Sequence, residues 1–141
     1  MRGCTWGMAF SLLLWALIAV IVMGLCSVAS VVAEDEAVGH ARSALDYLDG
    51  HLPGGQRIPP AMMRDGPYIL ACENRELDPW AVSETGDIGV WQISAYWQRE
   101  RLARMGLTVD DLYDPHLNTV IAIAIFEDRG WGAWSCKGAL R

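Results

Sequence analysis

From Gly3 to Ala33 the sequence has no charged residue, and Phe10 to Leu25 is apolar apart from Ser11 and Gly24. Such a stretch is excluded from the folded domain of a small soluble protein. With Arg2 before it and Glu34-Asp35-Glu36 after it, the layout is that of a secretory signal, cleaved after Ala33 (Val31-Val32-Ala33) or Ala29 (Ser27-Val28-Ala29). The charge-free run also exceeds the roughly 20 residues that span a bilayer, so an uncleaved membrane anchor over residues 3–33 is the alternative. Leu25 before Cys26 excludes a lipid-modification signal, which needs Gly or Ala there. Either way, residues from Glu34 onward are expected outside the cytoplasm: secreted, periplasmic or cell-wall-facing.

Positive charge is scarce too. Arg2 is the one basic residue of the leader, and beyond it 10 Lys and Arg face 17 Asp and Glu, a net charge of −7. That balance excludes nucleic acid as a partner and opposes nonspecific adhesion to anionic polymers, leaving recognition to aromatic and hydrogen-bonding groups in a groove. An uncharged glycan suits such a groove. Thiols are few: Cys4 and Cys26 lie in the leader, so Cys72 and Cys136 are the pair left for an oxidising compartment. They are expected to form a disulfide, the alternative being two separate buried thiols. His40, His51 and His116 have no metal-ligand spacing, so neither metal nor cofactor is expected. With no internal repeat, low-complexity tract or second domain, residues 34–141 read as a single domain, expected to be monomeric.

Between Ala37 and Leu48, the apolar residues Ala37, Val38, Ala41, Ala44, Leu45 and Leu48 keep one side of a 3.6-residue period, which predicts an amphipathic helix. His51 to Pro60, with Pro53-Gly54-Gly55 and Pro59-Pro60, reads as loop. Helix is expected to resume near Ala61, to be disturbed at Gly66-Pro67 with Pro67 as a new first helical position, and to run to Glu73. Asn74 to Trp91 reads as loops or a small hairpin. Ser94 is expected to cap a helix through Tyr96, Trp97 and Leu102 to Met105, stopped by Gly106. Asp114-Pro115 opens a further helix, apolar on every side from Val120 to Phe126 and ended by Gly130, hence the buried central one.

Cys72-Glu73-Asn74 and, after a short loop, Ser83 to Ile93 carry the chemistry. Breaking a glycosidic bond requires a carboxyl that protonates the leaving oxygen beside a groove. Glu73, at a helix C-terminus where the macrodipole disfavours negative charge, is the candidate. Gly86 and Gly89 permit a tight turn close to substrate, or an ordinary loop. Ser83 and Gln92 are suited to binding acetamido and hydroxyl groups, or to satisfying the turn itself. Asp87 is a possible second carboxylate or a turn residue; Asp78 and Glu84 read as turn chemistry. Of the tryptophans, about half serve the core. Trp131 and Trp134 are the expected cleft walls, and Trp97 reads as packing.

This arrangement resembles the lysozyme-like lytic transglycosylases, the soluble lytic transglycosylase domain akin to goose-type lysozymes. Their pattern is Glu-Ser at a helix end, then Ser-x-Thr-Gly-x-x-Gly-Leu-x-Gln-Ile, against Ser83, Thr85, Gly86, Gly89, Val90, Gln92 and Ile93 here. Asp111-Leu112-Tyr113-Asp114-Pro115 with Asn118, and Gly130 to Cys136, extend the resemblance over about the last half of the chain. Asn74 replaces the usual Ser, and the Ala-Tyr-Asn-Ala-Gly segment common late in the family is absent, so the family's late tyrosine has no counterpart.

The resemblance implies an α+β, predominantly α, lysozyme-like fold with a small loop or hairpin region beside the catalytic helix. It also implies cleavage of peptidoglycan between N-acetylmuramic acid and N-acetylglucosamine, with Glu73 as acid and then base, leaving 1,6-anhydromuramyl ends. Two rivals accompany it. One is a muramidase hydrolysing the same bond with Asp87 or a neighbour steering water; the other is a noncatalytic peptidoglycan-binding module.

Overall fold

The computed structural model describes residues 5–140, with side chains from residue 15 onward. Arg2, Gly3 and Cys4, assigned to the leader, lie outside the described residues. The chain divides into two compact units, Met1–Asp35 and Glu36–Arg141. The first is supplied by helix α1 (Thr5–Asp49). Among the described residues, α1 is the one helix long and apolar enough to cross a membrane, by length and composition. Its apolar side chains from Trp15 to Val32 are largely exposed.

The second unit is α+β and predominantly α. It contains the end of α1, then α2 (Pro60–Glu73), a two-stranded antiparallel hairpin of β1 (Asp87–Ile88) and β2 (Ile93–Ser94), α3 (Ala95–Arg104) and α4 (Pro115–Arg129). Short 3-10 turns fill the connections, including Pro53–Gly55 in the predicted loop. On α1, Ala37, Ala41, Leu45 and Leu48 are buried, the face that the 3.6-residue period marks out.

Asp49 ends α1 and closes the loop behind it: its carboxylate accepts from the Ile58 N–H at 2.6 Å and from the Arg57 guanidinium, with Nε at 2.8 Å. The Arg57 hydrogen bonds hold the Asp49 carboxyl below its ordinary range. A depressed folded-state pKa adds stability above the unfolded value and loses it as pH falls through the folded one. Asp49→Asn should therefore lower stability at neutral pH and flatten its decline below about pH 4, as acid titration of the thermal midpoint would show.

Helix α2 is continuous, against the expected break at Gly66-Pro67. Gly66 is there for packing: a Cβ would lie 3.0 Å from the Trp91 indole and 3.1 Å from Leu45 Cδ1. Pro67, inside the helix and not at a first position, forgoes one backbone donor, a cost that burial of this face outweighs. α4 meets its expectation: Asp114 accepts from the His116 and Leu117 N–H groups, Pro115 takes the first position, and Ile121, Ala122, Ile123 and Ile125 are buried. Gly130 ends it with φ +56°, its N–H bonded to the Phe126 carbonyl.

Candidate active site

Glu73 is the last residue of α2 and half-buried. Its Oε1 accepts from Ser135 Oγ and from the Cys136 N–H, each at 2.9 Å. Oε2 has no hydrogen bond among the described residues. The Cys72–Cys136 disulfide, Cα to Cα 6.0 Å, fastens the residue before Glu73 to the segment that donates to it. The expected pairing is thus present, and it positions a carboxylate as well as bracing the fold. Ser135 lies in the Gly130 to Cys136 segment that extends the resemblance, but its contact with Glu73, 62 positions away, has no signature in the local pattern.

Asn74, in place of the family's Ser, anchors the chain leaving α2. Buried, it donates from Nδ2 to the Asp78 and Gly89 carbonyls at 2.8 and 3.2 Å and accepts from the Asp78 N–H. The end of α2 is thereby tied to the hairpin. The hairpin is in turn locked on α4 by Asn118, fully buried, whose Nδ2 donates to the Ile88 and Leu112 carbonyls and whose Oδ1 accepts from the Trp91 N–H. Every polar atom of that amide is engaged in low dielectric.

Gly89 sits in this lock with φ +78°, where a Cβ would fall 2.5 Å from both Asn118 Nδ2 and the Leu112 carbonyl oxygen. It is buried and packs there; it is not among the groove residues. Gly89→Ala combines left-handed strain with a backbone clash, and Asn118→Ala strands buried donors and acceptors. Each should cost on the order of 3 kcal/mol, measured by denaturant unfolding.

A groove of about 420 Å³ opens between the end of α2, the hairpin, the first turn of α3, the last turn of α4 and the segment to Ser135, and Glu73 lines it. Asp87, Gln92 and Trp134 line it as well. Asp87 Oδ2 accepts from Thr85 Oγ1 at 2.6 Å and Ser83 Oγ at 3.2 Å, and Ser83 Oγ accepts from the Asp87 N–H, so these three residues close the turn among themselves. Ser83 is not among the lining residues. Gln92, at φ +48°, donates from Nε2 to the Gly89 carbonyl at 2.8 Å and the Ala81 carbonyl at 3.4 Å. Its Oε1 has no partner among the described residues.

The tryptophans divide differently from expectation. Trp134 is 5% exposed, with its indole N–H bonded to the Trp91 carbonyl, yet it lines the groove as expected. Trp131 stacks on Trp91, packs at a tilt against Phe126 and is not among the groove's lining residues. Trp97, read as packing, is 77% exposed and lines the groove beside Tyr96. Ser94 makes no side-chain cap; it belongs to β2, and α3 begins after it. Among the described residues no cluster of His, Cys, Asp and Glu has the makings of a metal site.

Residues 68–130 match the family model described as the Transglycosylase SLT domain. The matched segment covers a little under half of the chain. It contains Glu73, the hairpin and α4, so the resemblance drawn from Ser83 to Ile93 and Asp111 to Asn118 holds at the level of the domain family. No curated protein and no solved structure matches the chain. The match supports a peptidoglycan-directed, lytic-transglycosylase-type function at family level, and the apolar helix α1 is compatible with a signal or a membrane tether.

Proposed function

We propose that the chain is a peptidoglycan lytic transglycosylase in which Glu73 serves as acid and then base. In this reading residues 1–33 export or tether the protein, and residues 34–141 carry the lytic domain on the wall-facing side of the membrane. The observation that carries it is the carboxylate of Glu73 at a helix end on a groove, with Oε1 steadied by two donors from the disulfide-linked segment. Fixing one oxygen leaves the other to exchange a proton in a defined direction.

Protonated Glu73 gives its proton to the oxygen bridging N-acetylmuramic acid and N-acetylglucosamine as the C1–O bond breaks. The 2-acetamido carbonyl oxygen of the muramyl residue bonds to C1 and carries the positive charge. Glu73, now a carboxylate, takes the proton of the C6 hydroxyl, whose oxygen attacks C1 and expels the acetamido oxygen. The product is a 1,6-anhydro ring, no water is consumed, and Glu73 is again protonated.

Hydrolysis of the same bond needs a second carboxylate to activate water. Asp87 lines the groove with Oδ2 held by the Ser83 and Thr85 hydroxyls and is the group that would steer water on that route, whereas the family-level match favours the substrate-assisted one. Digesting purified sacculi with the full chain and weighing the released fragments tests the choice. Ends lighter by one water are expected; reducing ends alone would establish hydrolysis, and no release would favour a binding module.

A further inference from the structure

Two large aromatic rings stand in solvent at the first turn of α3, both on the wall of the Glu73 groove. Tyr96 is 69% exposed and Trp97 77%. They meet edge to face, centroids 4.9 Å apart and planes at 85°. An edge-to-face pair covers at most one face of one ring, so an aromatic face is left uncovered whichever ring supplies the edge. Leaving this much apolar surface in water has no structural return, since neither ring belongs to the buried core. Flat apolar surface in a polar groove suits the axial C–H face of a pyranose, and mutual bracing of the rings reduces the entropy lost on binding.

Next to Trp97 along the helix, Gln98 also lines the groove. Its Oε1 accepts from Arg101 Nε at 3.0 Å, and Arg101 is itself held by the Ala124 carbonyl and Asp128. That contact orients the amide: the oxygen is occupied, and Nε2 is the end with donors to spare. Gln92 is fixed in the opposite sense, with Nε2 committed to carbonyls and Oε1 unpaired among the described residues. The groove therefore offers one preset donor and one preset acceptor, the complement of an acetamido group's C=O and N–H.

We propose that Trp97, Tyr96 and Gln98 form a saccharide subsite for a 2-acetamido pyranose, lying on α3 and apart from the bond-breaking carboxylate. The subsite rests on the peptidoglycan reading above and names the residues that would hold one sugar ring of the strand. Its role is binding: loss of the platform raises KM and leaves kcat nearly unchanged, because the platform holds ground state and transition state alike.

The test is calorimetric titration of the full chain, in a detergent without a sugar headgroup, with a β-1,4-linked N-acetylglucosamine tetramer and with the glucose tetramer. The parent chain should prefer the N-acetylated tetramer. Trp97→Ala should weaken its binding about tenfold with the thermal midpoint unmoved, and Gln98→Ala should narrow the preference over the glucose tetramer. No measurable binding to the parent, equal affinity for both tetramers, or a Trp97→Ala affinity within about twofold of the parent would overturn the subsite. These outcomes are separate from the catalytic reading, which is judged by sacculus digestion: a parent that binds the tetramer through Trp97 yet releases nothing keeps the subsite and loses the chemistry.

Discussion

Glu73→Gln should abolish release of glycan fragments from sacculi, lowering the rate by about 10³-fold or more, while the protein stays folded and still binds the strand. The amide has nearly the same shape. Its carbonyl oxygen is able to accept from Ser135 and the Cys136 N–H as Oε1 does, so the local structure has no reason to change. What is lost is a proton that transfers, and both halves of the reaction need it. A thermal midpoint close to the parent's, with turnover gone, would separate chemistry from folding. Turnover within about tenfold of the parent would mean that another group carries the proton.

Replacing both Cys72 and Cys136 by Ser should have the largest effect on stability. The bridge spans 64 positions, and on the chain-entropy view a loop of that size is worth about 4 kcal/mol. Denaturant unfolding of the double variant against the parent measures it. A second loss is expected under conditions where the variant remains folded. The Cys136 N–H reaches Glu73 because its residue is bonded to Cys72, so freeing that segment loosens the donor pair on Oε1 and lowers turnover. A variant that loses stability yet keeps full turnover when folded would show that the donors are not needed.

The parts of this molecule that follow from local pattern were legible from the sequence. The apolar spacing from Ala37 to Leu48 gave the buried face of α1, and Asp114-Pro115 with the unbroken apolar run gave α4. The Cys72–Cys136 pairing followed from compartment and count. Glu73 stood out as a candidate only together with the Ser83 to Ile93 segment, because a lone glutamate at a helix end has no distinguishing chemistry. Gly66-Pro67 misled because the propensity penalty is local, whereas the compensation, contact with Trp91 and Leu45, comes from distant parts of the chain. Trp97 misled for the converse reason: helical spacing says which residues share a face, not whether that face meets the core or a groove. Trp131 and Trp134 near the disulfide looked like cleft walls; Trp134 does line the groove while packing on Trp91, whereas Trp131 packs on Trp91 without lining it, since an indole near a small core is worth more buried. The grip of Ser135 and the Cys136 N–H on Glu73 has no local signature at all.

Digestion of sacculi by the full chain in water enriched in heavy oxygen tests the central claim most directly. If Glu73 works with the substrate's own C6 hydroxyl, the new ends are 1,6-anhydro rings that contain no solvent oxygen. Ends that each carry one heavy oxygen atom would show that water attacked C1, and would contradict the account.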